Sequence, residues 1–138
     1  MAIKIESNVK RILKKDGVIF NDFSFENTTI SNIKEIIKKN KKYKSWSKRI
    51  INSKSNSVTL ICQQPGEGNR KHFHPKWNEW WLIIDGLWLF EIENKKYRIK
   101  KNDIVYIEKK KIHKITALGN KPAIRLAVSR ADVEHIYV

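Results

Sequence analysis

The sequence predicts a mostly-β domain, a sandwich or barrel of antiparallel strands with one helix at its front. Three observations predict it. From residue 46 onward, short runs rich in β-branched and aromatic residues alternate with tight turns at close, regular intervals. Ahead of them, one segment carries isoleucines at helical spacing. A chain of 138 residues, 41% of them hydrophobic, suits a single closed core.

Between Ile3 and Phe25 the pattern is mixed, and Asp16-Gly17 signals a turn followed by a short strand, Val18-Ile19-Phe20. Next, Ile30, Ile33, Ile36 and Ile37 recur at helical spacing, and Ser31 or Thr29 is placed to cap, so a helix is expected over residues 31–43. Its single apolar stripe needs cover, most simply the outside of a sheet. Residues 46–52 and 57–64 read as strands, and the stretch QQPGEGN ends the second with turn chemistry. Further strands are expected at 79–85, 87–93, 96–100, 104–108, 112–117 and 123–129. Gly86, Asn94-Lys95, Lys101-Asn102-Asp103, a lysine-rich turn and Leu118-Gly119-Asn120 divide them. With no internal repeat or low-complexity linker, the organisation expected is an extension over residues 1–55, a strand and a helix packed on the barrel, and a barrel over residues 56–138.

The formal net charge is +15, from 29 Lys and Arg against 14 Asp and Glu. A basic domain attracts phosphates, but lysine, isoleucine and asparagine are over-represented together, as in an overall compositional drift. Between Lys34 and Lys54 a run of basic residues faces only Glu35, which reads as a solvated helix face; no nucleic-acid motif accompanies it. Nucleic acid is therefore not an expected partner, whereas a small anion would be drawn by the overall field. No apolar run reaches about 18 residues and the N-terminus lacks the long apolar stretch of a leader, so a cytoplasmic protein away from membranes is expected. Cys62, the single cysteine, excludes an intramolecular disulfide and reads as a small buried hydrophobe on a strand.

The chemistry is concentrated in HFHPKWNEWWLIIDG, residues 72–86. His72 and His74 stand two apart, so on a strand both project from one face. Glu79 opens the next strand beyond the bend at Pro75, and His113 sits on a much later one. Imidazoles with a carboxylate suit one divalent transition metal (Fe, Mn, Ni, Zn or Cu) with positions left open. His135 reads as a surface or satisfied core histidine.

The pattern Gly66-x5-His72-x-His74-x4-Glu79-x6-Gly86 resembles the first motif of the cupin superfamily, with every anchor and interval in place. The second motif, Gly-x5-Pro-x-Gly-x2-His-x3-Asn, is degenerate: its register falls on Asn102, Glu108, Lys110, His113 and Ala117, and only the histidine is kept. The departures fall on turn positions, where asparagine adopts the left-handed conformation more readily than lysine. The resemblance covers roughly residues 57–129. It implies a small single-domain cupin, a double-stranded β-helix (jelly-roll) barrel often found as a dimer, with His72, His74, Glu79 and His113 as ligands of one metal.

Alternation along the strands sets Trp81 and Ile83 inward with Glu79, and Trp88, Phe90 and Ile92 inward on the next strand, with Tyr97 and Ile99 continuing that face. Trp80, Leu82 and Ile84 then face outward and need the helix or a second subunit as cover, an argument for a homodimer. Trp81 and Trp88 are candidate substrate walls. Arg125, flanked by small residues in AIRLAVS, is a candidate clamp for a carboxylate or phosphate, and Tyr106 a candidate proton-transfer group. The expected function is a metal-dependent enzyme acting on a small anionic metabolite by dioxygenase, isomerase/epimerase or lyase chemistry. A non-catalytic cupin that binds or senses a small ligand is the alternative.

Overall fold

The computed structural model describes residues 4–24 and 27–138. Two sheets face each other. In one, the strand order is β1 (Lys4–Glu6), β12 (His135–Tyr137), β5 (His72–Phe73), β10 (His113–Leu118), β7 (Leu87–Ile92) and β8 (Lys95–Lys100). In the other it is β2 (Phe20–Asp22), β3 (Trp46–Asn52), β4 (Ser57–Gln63), β11 (Ala123–Ser129), β6 (Glu79–Asp85) and β9 (Ile104–Ile107). Neighbouring strands run antiparallel except β2 and β3. The mostly-β, two-sheet jelly roll expected from the sequence is the fold observed.

The inner faces meet in one apolar core of Trp81, Ile83, Trp88, Phe90, Ile99, Val105, Ile107, Ile115, Ala117 and Ala123, drawn from both sheets. Trp81, Ile83, Trp88, Phe90 and Ile99 point inward as the alternation predicts, Ile92 is partly buried, and Tyr97, on the edge strand β8, is 46% exposed. The eight later strands fall within a residue or two of their expected bounds, because each is bracketed by strong turn chemistry.

Ahead of residue 46 the outcome differs. A helix absent from the sequence reading, α1 (Val9–Lys15), is capped by Asn8, whose side chain accepts from the Arg11 amide. The expected strand after Asp16-Gly17 starts two residues late, at Phe20. The expected helix is α2 (Ile33–Asn40), capped by Asn32 rather than by Thr29 or Ser31, so Ile30 falls outside the stripe and is 83% exposed. Ile33, Ile36 and Ile37 pack on the outer face of the second sheet against Trp46, Leu60, Cys62, Ile124, Ile84 and Leu126. The segment ahead of residue 57 is built into both sheets: β1 pairs with β12, and β2 and β3 extend the sheet beyond β4.

Candidate metal centre

The loop between β4 and β5 is zipped to β10, and that contact aims the site. Gly66 and Ala117 exchange hydrogen bonds with the loop and strand (Gly66 N to Ala117 O 2.8 Å, Ala117 N to Glu67 O 2.7 Å), and Asn69 both donates to and accepts from Ile115. Gly68 lies so close to β10 that a Cβ there would stand 1.9 Å from the Ile115 carbonyl oxygen, which only glycine avoids. At the far end of the motif, Gly86 holds φ +81° with Ala123 packed against it. The second motif's missing glycines are replaced without loss of the turns, since Asn102 (φ +77°) and Lys110 (φ +72°) both take the left-handed conformation.

These turns set His113 on β10 directly opposite His72 on β5. His74 lies just past β5. The three imidazoles are buried, and each offers a nitrogen within 4.8 Å of the others. Their aim is fixed by the main chain. His72 Nδ1 lies 2.6 Å from the Arg70 carbonyl, His74 Nδ1 2.9 Å from that of Glu134, and His113 Nδ1 3.0 Å from that of Lys111. A carbonyl only accepts, so each Nδ1 carries the hydrogen and each Nε2 presents a lone pair, the arrangement that metal-binding imidazoles require. Nε2 of His113 is buried with no hydrogen-bond partner, and Nε2 of His74 faces only a carboxylate oxygen.

Glu79 completes the constellation. Its Oε1 stands 2.8 Å from His74 Nε2, while its Oε2 accepts from the Trp81 indole at 2.6 Å. Two lone pairs at that separation repel unless a cation lies between them, either a proton or a metal ion. Orphaned buried nitrogens and a carboxylate crowded against one of them are what a divalent ion would satisfy, so the residues present fit such a group.

The electrostatics agree. Burial chiefly, with the neighbouring imidazoles, holds His72 well below its ordinary value, and burial pushes His113 down to about 4. These rings are neutral, metal-ready ligands near neutral pH. Burial lowers His74 too, but the Glu79 carboxylate outweighs it and raises that ring. For Glu79, burial alone would favour the acid form; the His74 contact outweighs it and lowers the carboxyl to about 2.

A cavity of about 60 Å³ opens beside the cluster, lined among others by His72, Glu79, Trp81 and Arg125, and on one side by Ile12 and Leu13 of α1. Arg125 is fully buried, with its guanidinium 5.5 Å from the Trp81 ring centroid and 4.8 Å from that of Trp88. Its Nη1 donates to Gln63 at 2.5 Å, its Nε has no partner, and burial lowers its pKa to about 10.

Two of the expected site residues fall elsewhere. Tyr106 pairs with Trp80 on the outer face of β9 and is 61% exposed, because alternation sends Val105 and Ile107 inward in its place; it cannot move a proton in the interior. Trp88 is wholly buried behind Arg125 and does not line the cavity. His135, conversely, is no bystander. Its ring stacks on His72 (centroids 4.5 Å apart), meets His74 edge-on at 4.5 Å, and its Nδ1 lies 2.9 Å from the Val133 carbonyl, the same lock as on its neighbours. Burial pushes it down to about 4. Local spacing carries no signal for it: β12 reaches the site only by pairing with β5, more than sixty residues earlier in the chain.

Residues 59–129 match the family described as Cupin domain. The chain is a cupin. An uncharacterized protein of Methanocaldococcus jannaschii is 36% identical to this cupin over 64 residues, 46% of this chain and 51% of its own. This cupin thus spans about half the length of the curated relative it matches. Among solved structures, a Bacillus halodurans protein aligns over 80% of this chain and 85% of its own, with a TM-score of 0.66 at 16% identity. KdgF from a Halomonas species aligns over 61% and 78% (TM-score 0.56, 17% identity). A predicted oxalate decarboxylase from Thermotoga maritima aligns over 62% and 78% (TM-score 0.58, 22% identity). At these identities the likeness is one of fold.

Proposed function

We propose that this cupin is a metal-dependent enzyme acting on a small anionic metabolite, with His72, His74, Glu79 and His113 holding one divalent transition metal. The observation that carries the reading is the set of lone pairs left facing one another in a buried site, each imidazole locked by a backbone carbonyl. A metal held there would supply Lewis-acid polarisation of a substrate oxygen or, if redox-active, dioxygen chemistry. The chain's own residues do the rest. Arg125 offers an uncompensated positive charge to a substrate carboxylate or phosphate. Trp81 steadies Glu79 through its indole N–H and forms an apolar wall. Helix α1 sets Ile12 and Leu13 against the cavity, and apolar walls of this kind strengthen the electrostatic contacts inside it. Dioxygenase, isomerase/epimerase and lyase reactions are the classes this site suits.

Elemental analysis of the purified chain, followed by turnover against sugar phosphates, diketones and sulfonium compounds, tests the reading. One bound metal per chain is expected, and His113→Ala is expected to abolish metal and turnover together; turnover kept by a metal-free variant would sink it. The outward placement of Tyr106 favours a second reading, a cupin that binds its ligand without converting it. Tight ligand capture by the metal-loaded protein with no product would select that one. The exposed strip of Trp80, Ile104 and Tyr106 suits a homodimer contact, and the buried lone thiol of Cys62 suits the cytoplasm.

A further inference from the structure

The cavity holds a second buried arginine that the reading above does not use. Arg49 on β3 is 2% exposed and lines the same space as Arg125. Its Nε donates to Thr59 Oγ1 at 2.8 Å and its Nη1 to Asn52 Oδ1 at 2.8 Å, both neutral acceptors, and its guanidinium sits 4.5 Å from the Phe23 ring centroid. The acidic side chains that line the cavity are already engaged. Asp16 accepts from Arg70 at 2.6 Å, and Glu79 is held by His74 and Trp81. Among the described residues, neither Arg49 nor Arg125 forms an ion pair with a carboxylate.

A guanidinium stays charged at any ordinary pH, and burying one costs heavily unless an opposite charge compensates it. Neutral hydrogen bonds and ring faces offset part of that cost. Glu79 and Asp16 act on Arg125, and Asp132 on Arg49, without pairing with either guanidinium, so two buried cations in one small space are left without a direct partner. Their register separates them. Arg49 pairs with Thr59 and Arg125 with Ile61, so they flank β4 two residues out of step while facing the same interior. At about 60 Å³, the cavity has room for roughly four waters, which fits a compact ligand and not a nucleotide or a polymer.

We propose that the cavity binds a small dianion, a short dicarboxylate or a phosphate, with Arg125 receiving one negative pole beside the histidine cluster and Arg49 the other. This deepens the substrate side of the function proposed above, but anion capture by the arginines needs no metal, so the two readings can fail separately. Each pole is taken by a planar fork of N–H donors, the geometry that carboxylate and phosphate oxygens match. A monoanion satisfies one arginine and leaves the other buried without a partner.

The test is titration calorimetry on the full chain after treatment with a chelator, using malonate, glutarate and inorganic phosphate, with acetate as the monoanion. Malonate or phosphate is expected to bind at least tenfold more tightly than acetate. A malonate-over-phosphate order marks a dicarboxylate site, and the reverse a phosphate site. Glutarate binding more weakly than malonate supports the compact cavity. Arg49→Gln is expected to erase the dianion preference while leaving acetate binding unchanged, and Arg125→Gln to weaken every anion. Should Arg49→Gln fail to fold by circular dichroism, Arg49→Lys keeps the charge and is expected to keep a preference of reduced size. Wild-type protein that binds acetate as well as malonate and phosphate overturns the proposal, as does an Arg49→Gln variant with the wild-type preference. A wild-type chain that carries no metal as purified, before any chelator, yet keeps the preference counts against the metal reading alone.

Discussion

Lys110 shows how a single residue meets the demands of the fold against its own preference. It holds φ at +72°, where an L-residue with a Cβ is strained by about 1–2 kcal/mol, because its amide must donate to the His74 carbonyl at 2.7 Å. Glycine would adopt the same conformation without strain but lose more entropy on folding. Lys110→Gly is therefore expected to stabilise the protein by about 0.5–1 kcal/mol in a urea titration, with metal affinity unchanged; a loss of stability would show that the lysine side chain matters more than its backbone. The candidate ligands His72, His74 and Glu79 were legible in the sequence because they lie close together, at spacings that a strand and a bend make meaningful. His113 was legible only through the resemblance to a family motif. His135 was not legible at all, since nothing near it in the chain specifies which strand β12 will join.

At the scale of elements, the strands expected between residues 79 and 129 could be read because strong turn residues bound each one and alternation fixed its inner face, whereas β12 (His135–Tyr137) went unread. Helix α1 escaped for the opposite reason. It has seven residues, three of them apolar, and at that length a helix owes its existence to what it packs on. Leu13 belongs to a small cluster with Val18 and Ile61 and also faces the cavity. Leu13→Ala is expected to cost about 2–4 kcal/mol and to make tryptophan fluorescence more quenchable by acrylamide as water gains entry. Unchanged quenching despite the lost stability would mean that α1 buttresses the fold without sealing the site. The same non-locality explains the misplaced start of β2, whose parallel pairing with β3 no local pattern encodes.

For the molecule as a whole, burying three histidines and half-burying a fourth couples its stability to pH. In an unfolded chain imidazoles take protons near pH 6.5. In the folded, metal-free protein burial holds His113 and His135 to about 4, and His72 well below its ordinary value. Between pH 6.5 and about 4 the unfolded chain therefore binds more protons, and stability falls as pH falls. Glu79, lowered to about 2, adds a further loss as pH drops below its ordinary 4.5. His74, raised by Glu79, opposes them: its contribution is present at low pH and disappears as pH rises past 6.5. Three groups outweigh one, so the melting temperature of chelator-treated protein is expected to drop steadily from pH 6.5 to pH 4.5, as followed by circular dichroism. A flat profile would contradict the burial of the cluster. The atoms that orient the four imidazoles are peptide oxygens of Arg70, Lys111, Val133 and Glu134. Because every residue type supplies that oxygen, an exposed position such as Lys111 can exchange its side chain over generations while the ring keeps its direction. The site is thereby insulated from mutational turnover on the surface above it.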